Sequence, residues 1–138
     1  MSMILFWNTT IDMNEEKFSF KKRAKSFRYA FQGISMLFKG EHNARIHAVV
    51  AVLVIAASIF FSISTYEWIA VLLCIGGVFA AEAFNSAIEA LADMVSEEYH
   101  PLIKRCKDMA AGAVLLFVMA VVVVGLIIFL PKLIALFA

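Results

Sequence analysis

Three apolar runs, each long enough to cross a bilayer core as a helix of about 20 residues, constrain what this chain can fold into. The first extends from about Ile46 to Ile63, the second from about Trp68 to Met94, and the third from about Met109 to Phe129 or Leu130. A spanning segment in lipid must satisfy its backbone N–H and C=O groups internally, so the expected class is an all-α membrane protein. Composition agrees, with 63% hydrophobic residues, 17% charged residues and a mean hydropathy of +0.89 over 138 residues, well outside the range of soluble domains. Closely spaced runs behind one short polar segment leave no room for a second core, so residues 1–138 read as a single domain. The third run, "AVLLFVMAVVVVGLIIFL", should stop near Pro131. Walker-type glycine loops, dinucleotide fingerprints and zinc spacings are absent from the sequence.

The basic residues are unevenly distributed. Lys17, Lys21, Lys22, Arg23, Lys25, Arg28, Lys39 and Arg45 precede the first run, Lys104, Arg105 and Lys107 lie between the second and third, and Lys132 stands alone near the end. By the positive-inside tendency the N-terminus and the 94–108 segment should be cytoplasmic, and the "SISTYE" turn and C-terminus should face the other side. Tyr66 and Trp68 suit an interfacial anchor there. Within residues 14–40, Phe20, Phe27, Phe31, Ile34 and Phe38 recur at helical spacing, and Lys21, Lys25, Arg28, Gln32, Ser35 and Lys39 take the other side. That pattern predicts an amphipathic surface helix, with rings in the acyl boundary and cations toward anionic headgroups. Asn14, followed by Glu15 and Glu16, is its expected N-cap.

Residues 1–13 are poorly specified. "MSMILFW" lacks the basic start of a cleaved signal, and Asn8-Thr9-Thr10 matches a glycosylation pattern that a cytoplasmic N-terminus makes irrelevant. Cys74, within a span, and Cys106, in a connection, read as two isolated reduced thiols.

The second run holds an anomaly, "EAFNSAIEALAD" at residues 82–93. At about 100° per residue, Glu82, Asn85, Ser86, Glu89 and Asp93 share one stripe. Facing lipid, each carboxylate would cost about 2.5 to 3.5 kcal/mol at mid-membrane, so the stripe should face protein, a watery pocket or a cation. A contact between subunits, or a helix end rising from the membrane at Asp93, would also satisfy it. Two carboxylates on one face can instead divide labour, one holding a divalent cation and the other accepting a proton. Glu41 in "FKGEHNARIH" lies at the same membrane boundary as Glu89, and "SEEYHPLIKRCKDMA" brings His100, Lys104, Arg105, Lys107 and Asp108 to that level. Carboxylates for Mg²⁺ beside cations for phosphate are the parts phosphoryl transfer requires; the basic loop reads equally as an orientation signal. A channel or transporter subunit with an acidic intramembrane stripe is the competing, non-catalytic reading.

"EAFNSAIEALAD" followed by "SEEYHPLIKRCKDMAAGAVLL" resembles the signature of the small prokaryotic integral-membrane lipid kinases, the diacylglycerol kinase and undecaprenol kinase family, over roughly residues 20–130. The resemblance implies a homotrimer of subunits with a surface helix and three transmembrane helices in the bacterial cytoplasmic membrane, with ATP, Mg²⁺ and a membrane lipid alcohol meeting at sites shared between subunits. It implies that Glu82 is the catalytic base, that Glu41 and Glu89 hold Mg²⁺ on the nucleotide, and that Asn85 and Ser86 orient the reacting groups. Lys107, Asp108, Tyr99 and His100 would contact the nucleotide, with Lys22, Lys25 and Tyr29 of the surface helix. Glu82 lies deeper in the span than Glu89, as a base that needs desolvation should. His47 stands where the diacylglycerol kinase branch carries an acidic residue, which leans the expected acceptor toward undecaprenol, with diacylglycerol second.

Overall fold

A computed structural model describes residues 19–96 and 98–137, which form four helices in sequence: α1 (Phe20–Gly40), α2 (His42–Phe60), α3 (Thr65–Val95) and α4 (Pro101–Phe137). The last three are long and apolar enough to cross a membrane, in line with the all-α expectation. The expected cap at Asn14, with Glu15 and Glu16, and the whole of residues 1–13 lie outside the described residues. The chain divides into two compact units at the Phe31–Gln32 boundary, inside α1.

In the first unit the helical periodicity expected of α1 is present. Phe20, Phe27 and Phe31 are exposed on its apolar stripe, and Lys25 Nζ lies 5.8 Å from the Tyr29 ring centroid. In the second unit Ile34 is still exposed, but the stripe leaves the surface in the last turn of α1. Leu37 is buried, and Phe38, assigned by periodicity to the acyl boundary, packs edge-on against Phe79 of α3 with ring centroids 5.3 Å apart. The reason is chain geometry: α1 breaks at the single extended residue Glu41, so its last turn stays close to the bundle.

α3 is the central element and packs against both α2 and α4. At one end Ile63, Val71 and Ile128 form a buried cluster, flanked by Val54, Phe61, Trp68, Ile75, Val124 and Phe129. Trp68, expected as an interfacial anchor, contributes to this cluster, while Tyr66 is fully outside it at 85% exposure. Gly77 lets α4 come close, because a Cβ there would overlap the Phe117 ring. Elsewhere the helices keep their apolar side chains outward, Leu53, Leu73 and Leu116 among them, the reverse of a soluble bundle and the arrangement lipid favours.

The α2–α3 connection is closed by backbone hydrogen bonds. Ile63 N–H donates to the Ser58 carbonyl at 3.2 Å and Ser62 N–H to the Ile59 carbonyl at 3.1 Å, with Ser62 left-handed at φ 48°, a Schellman end that glycine usually occupies. Ser64 then caps α3 in a reciprocal box, its hydroxyl accepting from Glu67 N–H at 3.4 Å and its own N–H donating to Glu67 Oε2 at 2.7 Å.

α4 departs from expectation at both ends. It starts at Pro101 rather than Met109, because proline is favoured at the first helical position and the His100 imidazole Nδ1 accepts from Leu102 N–H at 3.3 Å. It passes through Pro131 to Phe137 instead of stopping. Proline deletes one backbone donor, a loss that membrane helices tolerate; Lys132, one residue further on, pairs with Glu67 of α3 at 2.9 Å and pins the continuation. Its 37 residues amount to about 55 Å of helix, so its first polar turns extend beyond an apolar core of about 30 Å.

Replacing Ser62 by glycine removes the left-handed strain and should raise stability by about 0.5 to 1 kcal/mol, whereas Ser64→Ala should lose about 1 kcal/mol with the cap. Thermal melts in detergent followed by circular dichroism check both, and a lowered midpoint for Ser62→Gly would contradict the turn geometry.

Candidate functional site

The stripe expected from spacing exists; it faces protein at Glu82 and Asn85, is half-buried at Ser86 and Glu89, and ends exposed at Asp93. Glu82 is 2% exposed and Asn85 9% exposed on α3, on a helix whose Leu73 and Phe84 are 69% and 72% exposed. Helical period alone explains why they share a face; the packing of α2 and α4 on α3 decides that this face is enclosed. Glu82 Oε1 lies 3.1 Å from Nε2 of His47 on α2. Asn85 Nδ2 donates to Glu89 Oε1 at 3.0 Å, one turn further along. Asn85 Oδ1 and Ser86 Oγ are buried without a hydrogen-bond partner. Leaving such atoms unsatisfied costs about 1 to 3 kcal/mol each, and where a fold retains them a ligand is the natural partner.

Above this face lies a pocket of about 260 Å³, lined by Asn43 and His47 of α2, Glu82 and Asn85 of α3, and Ala111, Val114, Leu115 and Val118 of α4. A second, apolar cavity of about 220 Å³ continues between the same helices toward Ile128 and Phe129, sharing His47 and Val118 with the first. An acidic group at the head of an apolar groove can bind an amphiphile whose polar end needs a proton acceptor and whose tail needs hydrocarbon.

The remaining expected residues lie at the polar end of the bundle. Glu41 is half-buried between α1 and α2, and although it stands at the α2 N-cap position its carboxylate makes no capping bond. Glu89 is half-buried and holds Asn85. Lys107 pairs with Asp93, joining α4 to α3, and Lys104 pairs with Asp108 within α4. Asp93, expected near a helix end, lies exposed in the last turn of α3, where it is also an interhelical partner. Tyr99 is exposed at 78%, and His100 caps α4. Lys22, Lys25 and Tyr29 lie on the exposed part of α1. Cys74 and Cys106 are both free, as expected.

Periodicity did not reveal His47 and Asn43, since both lie on α2 and their partners on α3. The available signal was chemical: an ionisable side chain inside an apolar run marks a function and implies a partner. Among the described residues, no group of three or more His, Cys, Asp or Glu side chains converges as a metal cage. A ready-made all-protein calcium or zinc site is thus not what the stripe forms. Mg²⁺ needs less, taking one or two carboxylates together with water and substrate phosphates; Glu41, whose carboxylate makes no capping bond, and Glu89, which accepts from Asn85, are each hard-oxygen donors of the kind Mg²⁺ takes.

A family model described as prokaryotic diacylglycerol kinase matches residues 28–129. The chain is 38% identical to an undecaprenol kinase of Bacillus subtilis over 123 residues, covering 89% of this chain and 100% of that one. It is 40% identical over 112 residues to a diacylglycerol kinase of Synechocystis sp., covering 80% of this chain and 64% of the relative. A diacylglycerol kinase of Escherichia coli K12 is 28% identical over 104 residues, 75% of this chain and 85% of its own.

If Glu82 is held for chemistry rather than for the fold, Glu82→Gln, whose amide oxygen still accepts from His47, should leave the melting midpoint unchanged or raised. Loss of more than about 2 kcal/mol in a detergent melt would instead make Glu82 a structural residue.

Proposed function

Because this chain belongs to the prokaryotic diacylglycerol kinase family and is a membrane lipid kinase, we propose that it transfers the γ-phosphoryl group of ATP, with Mg²⁺, to the hydroxyl of undecaprenol, diacylglycerol being the second acceptor. The observation that carries the reading is the enclosed Glu82, which with Asn85 lines a polar pocket that adjoins an apolar groove through His47 and Val118. A channel lining would not need a buried carboxylate to share one pocket with the mouth of an apolar groove. The choice of acceptor rests on "FKGEHNARIH" with its His47 and on the full-length similarity to the Bacillus undecaprenol kinase.

In this reading Glu82 accepts the proton of the lipid hydroxyl as its oxygen bonds to the γ-phosphorus, and the bond to the bridging oxygen breaks to release ADP. Asn85, which lines the pocket, orients the hydroxyl, and the same role for Ser86 follows the family resemblance. Glu41 and Glu89 would hold Mg²⁺, which when bound neutralises charge on the phosphates. Lys107 would exchange Asp93 for phosphate, with Asp108, Tyr99 and His100 at the same polar end. For Lys22, Lys25 and Tyr29, the nucleotide role rests on the family pattern alone.

The proposed setting is the bacterial cytoplasmic membrane, in lipid-carrier or phospholipid recycling. The N-terminus and the connection around Ser96 to His100 would be cytoplasmic, where ATP is, with the α2–α3 turn and the C-terminus outside. The proposed assembly is a homotrimer that shares its sites between subunits, following the family resemblance.

Purified protein in mixed micelles with γ-labelled ATP should label undecaprenol in preference to diacylglycerol, with little transfer to a short-chain alcohol, and only when Mg²⁺ is added. Preferential labelling of diacylglycerol would reverse the acceptor assignment, and ion flux without ATP turnover would sink the kinase reading. Glu82→Gln should lower turnover by about 10²-fold or more. Glu89→Gln should raise the Mg²⁺ concentration needed for half-maximal rate, and an unchanged Mg²⁺ titration would remove Glu89 from the metal site.

A further inference from the structure

We propose that His47 is a positioning residue for the Glu82 base, its Nε2–H holding Oε1 so that Oε2 is the oxygen that takes the proton of the acceptor hydroxyl. This rests on the reading of Glu82 as the base and adds the group that aims it. The two side chains come from different helices, 35 residues apart in sequence, and meet at 3.1 Å with side-chain exposures of 22% for His47 and 3% for Glu82. They are the only titratable groups that line the polar pocket among the described residues: α4 presents Ala111, Val114, Leu115 and Val118, α2 adds Asn43, and α3 adds Asn85. Among the described residues, His47 Nε2 is the hydrogen-bond partner of a carboxylate that packing has withdrawn from water, and an ionised carboxylate in such surroundings is costly unless a donor holds it.

The hydrogen bond also has a geometric consequence. A carboxylate offers two oxygens and turns easily about its terminal torsion. Tethering Oε1 stops that rotation and leaves Oε2 free to accept. For Glu82 to act as an anion, His47 must carry its proton on Nε2, which fixes the tautomer. Proton balance is simple: the hydroxyl proton moves to Oε2, the alkoxide oxygen bonds to phosphorus, and the His47 proton stays on Nε2. His47 also lines the apolar cavity that continues from the polar pocket. It therefore stands where an acceptor's hydroxyl end would meet its hydrocarbon chain, and fixing Glu82 there sets the depth at which a hydroxyl can react.

The test uses the full-length protein in mixed micelles with MgATP and undecaprenol. His47→Phe should lower kcat by about 10²-fold while the KM for MgATP stays within about two-fold. His47→Gln, whose amide N–H can donate to the same oxygen, should recover about ten-fold of that loss. If His47→Phe does not assemble, His47→Asn, whose amide stops short of Oε1, takes its place with the same expected loss. Wild-type kcat in the non-donating variant, equal losses in it and in His47→Gln, or a defect confined to the KM for MgATP would each overturn the proposal. Glu82→Gln separates the two readings: if it is inactive while His47→Phe turns over normally, the base stands and only the positioning role fails, and if it turns over normally, the base reading fails first.

Discussion

Glu82 is enclosed at 2% exposure on a helix whose leucines and phenylalanines point outward, and the rest of the bundle is organised around keeping it so. In lipid an apolar exterior costs nothing, because hydrocarbon solvates it as well as a protein core would. A carboxylate in that exterior costs several kcal/mol. The stripe therefore decides which face of α3 turns inward, and α2 and α4 must cover it. His47, Asn43 and the small or branched residues of α4 are what they bring.

The two ends of the bundle hold this arrangement in register. At one end the left-handed Ser62, the Ser64 box and the Glu67–Lys132 pair join α2, α3 and α4 within a few residues. At the other, Asp93 and Lys107 join α3 to α4. Single exposed ion pairs contribute little to stability, but at opposite ends of an antiparallel helix pair they oppose sliding. A one-turn slip would shift a helix by about 5.4 Å and would move the α4 wall of the pocket away from Glu82. The close approach at Gly77 and Phe117 acts in the same direction.

The helices and the polar stripe were legible in the sequence because each depends on local periodicity. Glu82, Asn85, Ser86 and Glu89 share a face as soon as the segment is helical, whatever surrounds it. Composition was a poorer guide to where helices stop. Pro131 was read as a terminator, but its effect in the middle of an apolar segment is the loss of one hydrogen bond, which the Lys132 anchor and flanking packing overcome. Phe38 was placed on the lipid side by a stripe that is continuous in sequence, yet it meets Phe79 because the chain turns at Glu41. His47 enters the sequence reading only through the resemblance, as a marker of the acceptor, without its partner.

By itself, the sequence determined that this chain forms apolar helices of membrane-spanning length, that one of them carries a carboxylate stripe, and that the motif around it is that of a lipid kinase family. These follow from hydropathy, helical period and local motif, all properties of neighbouring residues. Only the tertiary structure decided that the stripe faces inward at Glu82 and Asn85, that Glu82 is held by His47 from another helix, that Lys107 is engaged with Asp93, and that an apolar groove opens beside the base. Each of these joins residues far apart in the chain. Such contacts depend on how the helices rotate and pack against one another, and no local pattern encodes that.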